Sequence, residues 1–113
     1  MNQLFSLRLY LNHSVKALPT RRRHHFFKPN LSHFLLDQAV KAGIEQVLMH
    51  QVQASYLRGK RLVYHHVEIS HVHLPLCIEM IDAESKLREF ISHHKGQLHH
   101  ARMVLQPFEK VVI

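Results

Sequence analysis

The chain has a single cysteine, Cys77, which excludes an internal disulfide. The apolar residues around that thiol mark it as an inert core group. No apolar run approaches the roughly 18 residues of a membrane-spanning helix, because charges or histidines interrupt every candidate. The opening stretch, MNQLFSLRLYLN, carries Arg8 inside its apolar run and no basic segment ahead of it, unlike a secretory signal. These absences lead to the expectation of a soluble, cytoplasmic protein. Acidic residues are few: eight Asp and Glu stand against fifteen Lys and Arg. The excess positive charge favours anionic partners such as nucleotides, nucleic acid or anionic lipid, and says nothing about fold. Catalytic fingerprints are missing too. The chain has no nucleophile elbow, P-loop or dinucleotide motif, and Asp82 and Glu79 read as a helix cap and a strand residue, so no enzyme is expected. Glycine is scarce, with Gly59 alone between Gly43 and Gly96.

What is present suffices for one ordinary core: 113 residues, 46% of them hydrophobic. A single domain over residues 1–113 is expected. Phe5, Leu7, Leu9 and Leu11 alternate with Ser6, Arg8 and Tyr10, the period of a strand with one buried face. Residues 12–29 hold no period and form a basic loop insertion that includes Arg21, Arg22, Arg23, His24 and His25, followed by Phe26 and Phe27. Asn30 is placed to cap a helix over residues 31–42, whose stripe is Leu31, Phe34, Leu35, Ala39 and Ala42, with Gly43 as its stop. A strand over residues 44–54 and a basic loop or hairpin tip through Arg58, Gly59, Lys60 and Arg61 follow. Residues 63–81 read as a long strand in which Pro75 faces an unpaired side or marks a bulge. Asp82 then caps a second helix with Ala83, Leu87, Phe90, Ile91 and His94 on one stripe. Lys95, Gly96 and Gln97 end it, residues 98–105 read as a fourth strand, Gln106 and Pro107 as a break, and residues 108–113 as a short final strand. The order is β-α-β-β-α-β, the split βαβ sandwich of the α+β ferredoxin-like fold: an antiparallel sheet with two helices on one face.

Arg61, Leu74, Pro75, Ile78, Glu79 and Asp82, at their spacing, resemble the R…LPxxIExxD segment of the uncharacterised PII-like signalling-protein family. Lys41-Ala42-Gly43-Ile44 and Ser85-Lys86-Leu87 are similar to the flanking parts of the family pattern, and the likeness extends over residues 7–10 and 31–113. The resemblance implies a homotrimer of ferredoxin-like subunits with ligand clefts between neighbours, and a loop at about residues 55–66 that signals to a target protein. Adenine nucleotides are the common ligand of such clefts. On this chain the effector-binding residues would be Arg58, Lys60 and Arg61 in the loop and Lys95, Gly96 and Gln97 in the turn after the second helix. Arg102 and Lys110 would join them as phosphate partners, since a guanidinium and an ammonium suit that anion. One departure concerns Gln51 to Leu57, where the family pattern is glycine-rich. Glycine lets backbone approach a ligand closely; Val52 and Leu57 do not.

Thirteen histidines are the other peculiarity. His71 and His73 share one face of a strand and could chelate one ion, for which neutral imidazole suits Zn, Cu or Ni. No His–Cys cluster at zinc-finger spacing and no HExxH accompanies them. The sequence thus leads first to a non-catalytic PII-like regulator of a small anionic effector. Metal binding or sensing through His71 and His73 is an alternative, as is nucleic-acid binding through residues 21–28, where basic side chains meet Phe26 and Phe27.

Overall fold

The computed structural model describes residues 3–12, 15–18, 29–51, 54–55, 63–64, 75–99 and 101–112. The alternating segment forms β1 (Leu4–Asn12). It is followed by α1 (Leu31–Lys41), β2 (Gln46–Gln51), a two-residue pair β3 (Ala54–Ser55) and β4 (Val63–Tyr64), β5 (Pro75–Ala83), α2 (Glu84–His93), α3 (Lys95–Leu98) and β6 (Arg102–Phe108). The main sheet has four strands in the order β2-β5-β1-β6, and every pairing is antiparallel. This is the α+β, ferredoxin-like split βαβ arrangement expected from the sequence, with β3 and β4 added between β2 and β5.

The helix-facing side is the core, and periodicity explains which residues enter it. Leu7, Leu9 and Leu11 from β1, with Ile78 and Met80 from β5, meet Leu31, Leu35 and Ala39 from α1 and Leu87 and Phe90 from α2. Spacings of two on the strands and three or four on the helices deliver this set to one layer. Each buried aliphatic side chain contributes about 1.5–3 kcal/mol relative to exposure.

The junctions refine the sequence reading. Gly43 adopts φ 73°, and its N–H donates to Val40 O while Ile44 N–H donates to Ala39 O. That pair of bonds is a Schellman motif, which glycine enters without steric penalty. Pro75 opens β5, where no earlier ladder bond is lost, and β5 pairs with β1 from Asn12 and Pro75 to Leu4 and Ala83 without a bulge. β5 continues two residues past the expected end, so Ala83 rather than Asp82 stands at the N-cap of α2. Asp82 instead accepts from Glu45 N–H at 2.8 Å and lies 3.4 Å from Lys86 Nζ, tying the α1–β2 turn to the start of α2. Asn30 does occupy the N-cap of α1, but its Oδ1 accepts from Lys16 Nζ at 2.6 Å instead of capping.

At the other end of α2, residues 95–98 make a helical turn and the strand begins at Arg102, not at 98. His94 O accepts from both Gln97 N–H and Leu98 N–H, which holds that turn and buries Leu98. No break occurs at Pro107: among the described residues β6 pairs with β1 alone, so a donor missing from its other side costs no ladder bond. Residues 109–112 belong to no strand or helix, against the expected final strand.

Candidate functional site

One end of the sandwich gathers most of its connections. Antiparallel register sets Asn12 at the end of β1 beside Pro75 at the start of β5, Gln51 at the end of β2 beside Leu76, and Arg102 at the start of β6 beside Tyr10. The start of α1 and the end of α2 lie there as well: the Phe34 ring meets His94 edge-on, with centroids 6.2 Å apart. His94 also packs against Phe90 at 4.5 Å. Burial there, assisted by the neighbouring His93, pushes its imidazole below the usual histidine range, so the ring is neutral at physiological pH.

The segment ahead of the basic run is fastened at this end. Ala17 is buried in the core, and its N–H donates to Pro29 O at 2.9 Å, while Leu31 N–H donates to Val15 O at 2.9 Å. Gln97 completes the fastening. Its side chain, only 7% exposed, donates through Nε2 to Leu18 O at 3.0 Å and accepts at Oε1 from Leu18 N–H at 2.7 Å. One side-chain amide thus satisfies both polar groups of one residue's backbone, as an added rung of sheet would. With the Gln97 amide used in this way, its role is to position the α3 turn against the 15–18 segment. Lys95 and Gly96, the neighbours in that turn, remain exposed.

The helix-free face of the sheet carries a second polar cluster. Glu79 Oε2 accepts from Ser6 Oγ at 2.8 Å and from Arg8 Nε at 3.0 Å. Burial pushes the Glu79 carboxyl up, but those two bonds and the Arg8 charge outweigh it, and the group sits below the usual carboxylate range. Cys77, beside Tyr10 in the register, has its thiol pushed up by burial and is no nucleophile at neutral pH. The alternation of β1 places Ser6, Arg8 and Tyr10 on this face; the β1–β5 register that brings Glu79 to them is a tertiary fact. Of its members, Glu79 stands in the LPxxIExxD segment, while nothing local marks Ser6 or Arg8 as its partners.

With this geometry in view, comparison with known proteins assigns the family. The model of DUF190, described as "Uncharacterized ACR, COG1993", matches residues 18–110. The chain belongs to the DUF190 family. A "UPF0166 protein" of Aquifex aeolicus (strain VF5) is 28% identical over 80 residues, covering 71% of this chain and 75% of that protein. DUF190 is a PII-like family and is not a known enzyme class.

In this DUF190 chain the residues expected to bind an effector divide by place. Lys95, Gly96 and Gln97 lie in α3, at the end of the sheet where β6 starts with the exposed Arg102. Lys110 follows the far end of β6: Phe108 pairs with Leu4 and Arg102 with Tyr10. At about 3.3 Å per residue, those two ends of β6 are roughly 20 Å apart, so Lys110 and Arg102 of one chain lie toward opposite ends of the strand. Arg58, Lys60 and Arg61, and the metal candidates His71 and His73, lie outside the described residues, as does the 21–28 run. Among the described residues no group of three or more His, Cys, Asp or Glu is placed to hold a metal ion. Among them, too, no helix is long and apolar enough to cross a membrane.

Proposed function

We propose that this DUF190 protein is a non-catalytic, PII-like regulator. It binds a small anionic effector, an adenine nucleotide first among the candidates, in clefts between the subunits of a homotrimer, and passes the signal to a target protein through the loop at about residues 55–66. The observation that carries this reading is the end of the sheet just described. There the exposed Lys95–Gly96 turn is held still by the Gln97 amide, and Arg102 and the exit of β2 toward that loop lie at the same end. A cationic turn fixed in advance loses little entropy on binding an anion. Lys95 and Arg102 supply the charge, and the net charge of +7 adds attraction at longer range. The helix-free face, where Leu48 and Val104 are exposed around the Glu79 cluster, offers surface for neighbouring subunits to cover.

Two measurements test the proposal together: mass in solution by sedimentation, and calorimetric titration with ATP, ADP and AMP. A trimer that binds one of these, with affinity weakened about tenfold or more in the variant carrying Lys95→Ala and Arg102→Ala, is the expected result. A monomer that binds none of the three overturns it.

A further inference from the structure

His94 stands where α1, α2 and α3 meet. Its ring lies edge-on to Phe34 of α1, with centroids 6.2 Å apart, and tilted on Phe90 of α2 at 4.5 Å. Its backbone ends one helix and starts the next: the N–H donates to Phe90 O and Ile91 O, and the carbonyl accepts from Gln97 N–H at 2.9 Å and from Leu98 N–H at 3.0 Å. Gln97 in turn holds both backbone polar groups of Leu18 through its side-chain amide. Lys95, the cation of the exposed turn, is the next residue in the chain. The placing of one ring therefore governs the placing of the turn. An apolar side chain would fill the same contact with no polar group to desolvate, yet a side chain that can gain a proton occupies it.

We propose that His94 is a proton-operated switch on the effector site: the neutral ring holds the α3 turn in its binding form, and the imidazolium leaves the aromatic contact and releases that turn together with Leu18. The inference rests on the effector site proposed above and supplies its regulation. A charged ring between two phenyl groups gives up water and needs a counter-charge in exchange. The groups around it offer none. On α2 the neighbour is His93; burial first, and then the positive charge of His93, hold the His94 imidazole below the usual histidine range. On α3 stand Lys95, another cation, and His99, whose Nδ1 is 2.7 Å from Gly96 O. On α1, His33 and Asp37 lie within one turn of Phe34, both exposed, and the Asp37 charge does not raise the His94 imidazole. In the segment fastened beside α1, Lys16 Nζ donates to Asn30 Oδ1. The carbonyl end of a helix ordinarily favours a cation, but here Phe90 O and Ile91 O already accept from the His94 N–H. Proton and turn thus compete, and falling pH selects the released form. Exposed histidines at the same end act the other way, since their charge draws an anion more strongly as pH falls. The switch is therefore read against a chain that lacks only this imidazole.

The test compares the parent chain with His94→Leu and with His93→Gln, circular dichroism confirming that each is folded. The first measurement is hydrogen exchange without ligand, expressed as protection so that the pH dependence of exchange itself cancels. In the parent, protection at the amides of Leu18, Gln97 and Leu98 is expected to fall about tenfold or more between about pH 7.5 and pH 5, while amides of β1 and β5 keep theirs. His94→Leu is expected to keep that protection throughout, and His93→Gln, which retains the switch and removes the charge beside it, to lose it at higher pH than the parent. The second measurement is titration with ATP at the same pH values, read as the ratio of parent to His94→Leu dissociation constants, in which the ionisation of ATP and of the other histidines cancels. The ratio is expected to be near one at about pH 7.5 and to reach about five or more at about pH 5, in proportion to the fraction of turns released. Leu18 protection that follows the same course in the parent and in His94→Leu overturns the inference. A ratio that stays at one, or a His93→Gln midpoint that does not move, overturns it as well. Failure of both proteins to bind ATP at about pH 7.5 contradicts the effector reading instead, and the exchange result then decides the inference by itself.

Discussion

Glu79, Asp82 and His94 each hold a protonation state that folding favours, and each ties stability to pH in the same direction. The folded Glu79 and Asp82 carboxyls lie below their ordinary values, Asp82 because the N–H groups of Ala83 and Glu45 and the charge of Lys86 outweigh the effect of burial. The unfolded chain therefore binds their protons first, and the stability they contribute, complete above about pH 4–5, is lost as pH falls toward the folded values. His94, lowered by burial, behaves likewise from the ordinary histidine range near pH 6.5 downward. Thermal unfolding followed from pH 8 to pH 3 should show a first loss below about pH 6.5 and a second below about pH 4. In His94→Leu the first should vanish while the second remains. Glu79→Gln keeps the shape of the side chain but leaves Arg8 without a counter-charge in the network; a loss of about 1–3 kcal/mol in urea unfolding is expected at pH 7, shrinking as pH falls below 4. A variant as stable as the parent at pH 7 would contradict the role given to the pair.

At the scale of elements, the turns decide how the two layers meet. Gly43 has room for a methyl group, since an added Cβ would meet only Lys86 Nζ at 3.5 Å, so the cost of Gly43→Ala comes from its φ of 73° alone. That conformation costs a residue with a side chain about 1–2 kcal/mol, which calorimetry would read as a lower Tm; an unchanged Tm would show that the turn relaxes. Gln97→Leu removes both partners of Leu18 and is expected to destabilise the fold by about 1–3 kcal/mol, with faster hydrogen exchange at the Leu18 amide. These elements also mark where sequence reading succeeds. The alternation of β1, the stripe of α1 and the stop at Gly43 are legible because neighbours within four residues settle them. Asp82 is misread as a cap because its partner Glu45 is 37 residues away. The amide of Gln97 meets Leu18 across 79 residues, and nothing local marks either residue. Residues 98–101 look extended, yet Leu98 is buried by a turn hung from the His94 carbonyl.

For the whole molecule, the order of elements dictates the sandwich, and the sandwich dictates which connections share an end. Lys95, Gly96 and Arg102 are expected as anion partners from residue type and from the PII-like pattern, and the structure brings them to one end of the sheet. Lys110 looked equivalent to them in sequence, and only the direction of β6 shows that it sits at the other end. Glu79 stands out in sequence as part of the LPxxIExxD segment, but its partners Ser6 and Arg8 lie more than 70 residues away, and only the pairing of β1 with β5 shows the cluster. The proposed regulator requires the effector to lie at the α3 end and nowhere else. The most direct measurement is hydrogen exchange of the full chain with and without saturating ATP. Protection is predicted at the amides of residues 94–98, Leu18 and Arg102, with none in the α1–β2 turn around Gly43. Protection confined to that turn, or no change at any amide, would contradict an effector site at this end.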